Sequence, residues 1–385
     1  SYGGVAGTFL NVALVCAVCL GIYCLPGAKP DGVSVLAFFL TAGFCFWGTT
    51  ILNIWFSFAG VLLFCAVKKK SPGAMANAFL FSTGLAPLIT EMLFRYPGES
   101  WHGFTALGFA LALAVGVVIG FLFPAMLPHS PKMHKGYDLY NAAVPIGLTA
   151  FFLRALLYKV FTPAPPASEG VGLADSFELV SFLFCSVVFG LAILCGLLLG
   201  GGRDYPKLLR STGYNADFGA EFSPASGILN FGVYGVFIVL YYCAVGATWN
   251  AATLGCVFCM VCCCFKGSHP LNVFPIMLGY VAASFVAKFV CGLIGAEFSM
   301  AINAQAIVIG LCFANGLSPV AGEYGWLAGV LFGMAHYTLV TCVPLLHGAF
   351  CLYNGGFTAA FCCFLFVPVL ETFCKTKAER KRLKA

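Results

Sequence analysis

Thirteen long apolar runs, joined by short polar connections, leave this chain few ways to fold. They lie near residues 5–25, 33–47, 51–67, 74–95, 104–127, 138–161, 176–200, 227–245, 251–265, 271–290, 302–325, 326–345 and 354–372. A run of about 18 or more residues with few charges can cross the roughly 30 Å hydrocarbon core of a bilayer as a helix. Backbone groups in lipid must bond within their own segment, which selects helices, and the alternating pattern of a membrane barrel is absent. The runs at 33–47 and 251–265 are short enough to be tilted, half-spanning or re-entrant. Of the 385 residues, 61% are hydrophobic and 9% charged, whereas a soluble domain carries roughly 25% charged residues. The expected fold class is an all-α polytopic membrane protein with thirteen membrane segments.

The 20 cysteines do not read as a disulfide framework, because most sit inside apolar runs, as in Cys262-Cys263-Cys264, where Cys acts as a small hydrophobe. Cys256, Cys259 and Cys262 have metal-like spacing, but no His or carboxylate joins them within the run, so a packed helix face is expected. No metal and no cofactor is expected. The first run lacks a basic flank, so no secretory signal stands out.

The basic residues give an orientation. Placing the tail with Lys375, Lys377, Arg380, Lys381, Arg382 and Lys384 in the cytoplasm puts 16 of the 20 Lys and Arg residues inside, counting back through the crossings. Arg95, Arg154, Lys159 and Lys288 fall outside or near outer helix ends, and the Pro-rich loop 162–175, with Glu169 and Asp175, falls outside. The net charge of +6 then reflects orientation, and no nucleic-acid partner is expected.

The chain also repeats itself, in three blocks. At an offset of 219, Leu10-Asn11 matches Leu229-Asn230, Gly27-Ala28 matches Gly246-Ala247, Leu52-Asn53 matches Leu271-Asn272 and Gly60 matches Gly279. Next, Phe81-Ser82-Thr83-Gly84-Leu85-Ala86-Pro87 with Glu91 matches Phe313-Ala314-Asn315-Gly316-Leu317-Ser318-Pro319 with Glu323. Finally, Pro131, His134 and Leu139-Tyr140-Asn141 match Pro344, His347 and Leu352-Tyr353-Asn354. Polar residues in register do not arise by chance in apolar chains. The expected organisation is a first repeat over 1–161, an outer loop, linking helix 176–200 and cytoplasmic loop over 162–226, a second repeat over 227–373 and a basic tail over 374–385. An odd number of crossings separates the repeats, so they should be inverted. The linking helix has no counterpart ahead of residue 1, which leads to the expectation of a further N-terminal helix in the native protein.

The paired stretches FWGTTILNIW and FKGSHPLNVF, GLAPLITE and GLSPVAGEYGW, and HKGYDLYNAAV and HGAFCLYNGGF span nearly the whole chain. Through them it resembles a bacterial multi-pass membrane family catalogued as domain of unknown function 1576. The resemblance implies a bacterial inner-membrane protein and names no substrate. Trp47 and Thr49-Thr50 depart from the Lys-Gly-x-His form of the second repeat, so the halves need not act equivalently. Inverted halves with Gly/Pro breaks are similar to urea transporters by architectural analogy alone.

The chemistry should sit at the paired Gly-x-x-Pro blocks. Pro87 and Pro319 lack an N–H and clash with the preceding turn, while Gly84 and Gly316 admit unusual backbone angles, so each helix should break or kink there. Discontinuous helices of this kind form substrate sites near the midplane; a simple proline kink is the alternative. Ser82, Thr83, Asn315 and Ser318 supply polar groups beside the breaks, and Asn53 and Asn272 serve as substrate contacts or as glue between helices. Symmetry points to one central site between Gly84–Pro87 and Gly316–Pro319. Glu91 and Glu323 are candidate gating or proton-coupling carboxylates, with an interfacial role, and for Glu91 an ion pair with Arg95, as the alternative. His134, His347, Asn141 and Asn354 join them as gating or coupling candidates, with a structural hydrogen bond to a helix end as the alternative for the histidines and an N-cap that also attracts anions as the reading of the asparagines.

The expected function is a secondary transporter of a small polar or anionic solute, coupled to protons or sodium. A passive channel for a small neutral solute is second, and a membrane-embedded enzyme or scaffold third. No Walker motif, dinucleotide fingerprint, nucleophile elbow or HExxH pattern is present, so the chain is not expected to be an enzyme or an ATP-driven pump. Its partners would be lipid and the solute, with self-association into a homo-oligomer left open.

Overall fold

A computed structural model describes residues 4–98, 100–162 and 177–383, and over these the chain is helical with no strand. The acidic, Pro-rich loop expected at 162–175 lies outside the described residues apart from Thr162, as does Lys384 of the tail. In chain order the α-helices are α1 Gly4–Tyr23, α2 Gly32–Phe44, α3 Ile54–Lys68, α4 Ala76–Ser82, α5 Ala86–Phe94, α6 Ala106–Met126, α7 Ser130–His134, α8 Ala143–Ala155, α9 Phe177–Leu198 and α10 Tyr205–Leu208. They continue as α11 Phe218–Glu221, α12 Pro224–Val245, α13 Ala251–Val261, α14 Pro270–Ile294, α15 Gln305–Ala314, α16 Ser318–Tyr324, α17 Trp326–Leu339, α18 Val343–His347, α19 Asn354–Phe373 and α20 Lys377–Arg382.

Among the described residues, nine helical stretches are long and apolar enough to cross a membrane, and four shorter apolar helices accompany them. Together they coincide with the thirteen apolar runs. Large apolar side chains such as Leu107, Phe285, Phe289 and Leu293 are more than half exposed, as lipid contact requires and water would penalise. The chain is an all-α polytopic membrane protein.

By internal contacts it divides into two units. One comprises Ser1–Ser130, Asn141–Ala174 and Cys342–Asn354; the other comprises Pro131–Tyr140, Asp175–Thr341 and Gly355–Ala385. The units follow the repeats except at two short segments. Residues 131–140, from the first repeat, belong to the second unit, and residues 342–354, from the second repeat, belong to the first.

Within each unit the repeated residues make the same bonds. Asp31 caps α2 and Asn250 caps α13, each in a reciprocal box with the residue three further on, Ser34 or Thr253, which satisfies orphan N–H groups of the first turn. Gly27 and Gly246 turn the preceding helix end at φ 88° and 70°, a region that favours glycine. The Asn11 amide donates to the Cys45 and Thr49 carbonyls at 3.1 and 2.9 Å. Asn230 donates to Cys264 and Ser268 at 2.7 and 2.9 Å. In the first unit α3 meets α6 where Gly60 faces Gly120, and in the second α14 meets α17 where Gly279 faces Gly333. Small residues at such crossings let helix backbones approach closely in lipid, where no hydrophobic force draws helices together.

All twenty cysteines are free thiols. Cys256, Cys259 and Cys262 are fully buried, and Cys262 Sγ donates to the Cys259 carbonyl at 3.0 Å. The departure of the second repeat at Lys266 and His269 has a local cause. Lys266 pairs with Asp217 at 3.5 Å, and His269 Nε2 bonds the Ser211 carbonyl at 3.1 Å, so both answer to the segment that precedes α12.

Candidate functional site

Each Gly-x-x-Pro block folds as a single 3-10 turn, Thr83–Leu85 between α4 and α5, and Asn315–Leu317 between α15 and α16. Each proline is the second residue of the helix that follows, where its missing N–H costs nothing. The carbonyl four residues earlier, on Thr83 or Asn315, therefore has no α-helical donor. It accepts the N–H of Ala86 or Ser318 across the 3-10 turn. A hydroxyl stands beside it in each repeat, Thr49 Oγ1 at 3.5 Å from the Thr83 oxygen and Ser268 Oγ at 3.4 Å from the Asn315 oxygen.

The glycine carbonyls are met by the exchanged segments. The Leu352 N–H donates to the Gly84 carbonyl at 2.9 Å, and the Leu139 N–H donates to the Gly316 carbonyl at 3.1 Å. The next residue, a buried tyrosine, lies where the glycine has no side chain. A Cβ on Gly84 would sit 2.1 Å from the Tyr353 ring, and one on Gly316 would sit 2.6 Å from the Tyr140 ring. The matched Leu-Tyr-Asn blocks thus close the turns of the opposite repeat. Sequence alignment gives the register of these blocks but carries no signal for which turn each one covers.

The polar residues beside the turns are largely occupied. Ser82 donates to the Phe79 carbonyl at 2.8 Å and meets the Ser57 hydroxyl at 3.1 Å. Thr83 donates to the Leu80 carbonyl at 2.7 Å. Asn53 accepts the Thr50 N–H at 2.8 Å and donates to the Gly48 carbonyl and Thr90 hydroxyl at 2.9 Å each. Asn272 accepts the His269 N–H at 2.9 Å and donates to the Gly267 carbonyl at 2.7 Å. Ser318 and Ser268 share a hydroxyl contact at 3.1 Å. Asn315 donates to the Met260 carbonyl at 2.8 Å and accepts from the Tyr140 hydroxyl at 2.7 Å. Asn315→Ala should cost about 1–3 kcal/mol by leaving those buried groups unpaired. Thermal unfolding followed with a thiol-reactive fluorogenic dye reads this, and an unchanged Tm would refute it.

The gating and coupling candidates separate. Glu91 is buried, accepts the Tyr158 hydroxyl at 2.9 Å and lies 3.9 Å from the Arg95 guanidinium, which sits over the Trp101 ring. Glu323 is half-buried, and it is its backbone carbonyl that accepts from Arg380, at 3.1 Å. His134 Nδ1 accepts the Gly136 and Asp138 N–H groups at 3.2 and 3.4 Å. His347 Nδ1 lies 2.6 Å from Asn354 Oδ1. His134 belongs to the second unit and His347 to the first. Asn354 opens α19, but Asn141 does not cap α8. That helix begins at Ala143, its cap position is Ala142 and no side chain bonds there; the Asn141 side chain is exposed, and its carbonyl accepts from Ser130 at 2.6 Å. Among the described residues no group of three or more His, Cys, Asp or Glu side chains could hold a metal ion.

Sequence reasoning missed Asp138. It lies in the connection between the spans Ala106–His134 and Ala143–Phe161, yet it is buried against the Gly316 turn. One carboxylate oxygen, Oδ1, accepts the Tyr140 N–H at 3.0 Å, and the other, Oδ2, is buried with no hydrogen-bond partner. Burial raises its pKa from the model-compound 3.8 to about 7, against the opposing bond from the Tyr140 backbone, since desolvation penalises the charged form. The one sequence signal was a broken symmetry: the register that holds Asp138 in the first repeat holds Cys351 in the second.

A family model described as a protein of unknown function (DUF1576) matches residues 1–159 and 202–372. No curated protein and no solved structure matches the chain.

Proposed function

We propose that this chain, which belongs to the DUF1576 family, is a secondary transporter of a small polar or anionic solute rather than an enzyme. The observation that carries the reading is the pair of 3-10 turns, each inside an apolar stretch and each closed by a short segment of the opposite repeat. Irregular backbone at membrane depth is tolerated where it is buried in protein or lines a watery cavity. Withdrawing a Leu-Tyr-Asn segment from its turn would uncover the Gly84 or Gly316 carbonyl and turn one condition into the other. The glycines leave the backbone bare toward a ligand, and the tyrosines act as removable plugs. We place the protein in a bacterial inner membrane with its basic tail in the cytoplasm, where Lys and Arg are retained.

The purified full chain in proteoliposomes, given radiolabelled urea, glycerol, glycine, formate or acetate, tests this. At least one of these should accumulate above the external concentration when a proton or sodium gradient is imposed. Flux that is fast, downhill only and indifferent to ion gradients would establish a passive channel instead. No flux of any of these solutes above empty vesicles would overturn the transport reading.

A further inference from the structure

We propose that Asp138 is the proton-binding site of this protein and that it couples solute movement through the Gly316 turn to the proton gradient; this rests on the transport reading given above. A buried carboxyl with both oxygens satisfied is a structural anchor, but Asp138 is only half satisfied. Oδ1 is held by the Tyr140 N–H, while Oδ2 is enclosed and makes no hydrogen bond. An ionised Oδ2 in that position would carry charge with no protein donor beside it, a costly state. A proton on Oδ2 removes the charge.

Among the described residues no cation is seen paired with Asp138. On its own connection, His134 turns Nδ1 toward the Gly136 and Asp138 backbone N–H groups, at 3.2 and 3.4 Å. Lys135 pairs with Glu371 at an exposed position. Tyr137 faces Tyr214 and Tyr324, and the charge that acts on Tyr137 from Glu323 is negative. On α19 the groups that face Asp138 are the Cys362 and Cys363 thiols. On α13, α15 and the turn, Cys259, Cys312 and Asn315 meet Tyr140. None of these is a cation directed at the carboxyl.

The position links protonation to the turn. A Cβ on Gly316 would lie 2.5 Å from Asp138 Oδ1, and the neighbouring residues Leu139 and Tyr140 bond the Gly316 carbonyl and the Asn315 side chain. Ionised Asp138 favours a hydrated position, which draws the Leu-Tyr-Asn segment off the turn; protonated Asp138 returns it. The cycle forms one O–H bond with a proton from water on one side and breaks it to water on the other. The first repeat's turn is covered by a segment that carries Cys351 at this register, so one proton per cycle is expected.

Infrared spectra of the full chain in lipid, titrated from about pH 5 to 9, provide a test that needs no solute. With aspartate-selective 13C labelling, the wild type should show a protonated-carboxyl C=O band that shifts with the label and is lost as pH rises through the neutral range. The band should be missing from Asp138→Asn. No label-sensitive band in the wild type overturns the proposal even if the variant does not fold. Because the folded-state pKa is raised, the native state binds an extra proton above pH 3.8. Its stabilisation is complete below that value and is lost as pH rises to about 7, so the wild-type Tm should fall over that interval. The Tm of Asp138→Asn should not follow this fall, and equal slopes would count against the site. In proteoliposomes, an inward proton gradient should speed uptake by wild type and leave uptake by Asp138→Asn unaltered. A titrating band with no solute flux would retain the proton site and discard the transport function. Solute flux with no titrating band would do the reverse.

Discussion

Gly84→Ala is expected to destabilise the protein by about 3 kcal/mol or more, at or beyond the upper end for overpacking a close-packed interior. The new Cβ would stand 2.1 and 2.2 Å from two atoms of the Tyr353 ring, well inside van der Waals contact. In this closed arrangement the ring cannot yield without giving up its neighbours. Phe44 meets it edge-on at 4.9 Å, and the preceding Leu352 is tied to the Gly84 carbonyl. The double variant Gly84→Ala/Tyr353→Ala should recover much of the loss, because the two changes share one contact and cannot be additive. Dye-monitored thermal unfolding of the two singles and the double gives the coupling. If the singles sum to the double, Tyr353 does not plug the turn. Gly316→Ala with Tyr140→Ala is the matching cycle in the second unit.

Glu91→Gln should be the next most damaging change, by about 3 kcal/mol, the lower part of the range for breaking one side of a buried ion pair. Glu91 and Arg95 are both at least nine-tenths buried, and the substitution removes the carboxylate charge that lies 3.9 Å from the guanidinium. Glu323→Gln should stay within about 0.5 kcal/mol, as a half-exposed surface change does. The repeat pairs these two residues in sequence, so unequal Tm losses would establish that only the first is an anchor. Equal Tm values combined with loss of gradient-driven uptake in both variants would restore them as a coupling pair.

The sequence made the membrane class, the apolar stretches and the repeated positions legible, because each depends on local pattern. Length and hydropathy decide whether a stretch spans lipid, and register decides whether Asn53 answers to Asn272. Partnership was not legible. Thr83 lies beside a proline and looks available, yet a threonine there bonds back to the carbonyl three residues earlier, as Ser and Thr do in helices. Tyr140 and Tyr353 stand in sequence only as repeated neighbours of Asn141 and Asn354, whereas their rings fill glycine vacancies far away in the chain; Tyr140 reaches Asn315 across 175 positions. Asp138, two residues after Gly136 and three after Lys135, has the local look of a solvated connection. Only tertiary placement buries it. Glu91 sits four residues before Arg95, a spacing that offered the pairing and that Glu323, followed at that distance by Leu327, lacks; the burial of the pair was not legible.

The exchanged segments also bear on how such a protein is made. A nascent chain ordinarily completes its leading domain while the remainder is still on the ribosome. Here the first unit contains residues 342–354, so its Gly84 turn stays uncovered until that segment, which follows the second repeat's Gly316 turn in the chain, has left the insertion machinery. The early half must wait in the bilayer as an unfinished intermediate, exposed to membrane proteases and dependent on insertase or lipid for shelter. A fragment that ends after the first repeat lacks the segment that covers its Gly84 turn, and it is expected to be cleared faster than the full chain.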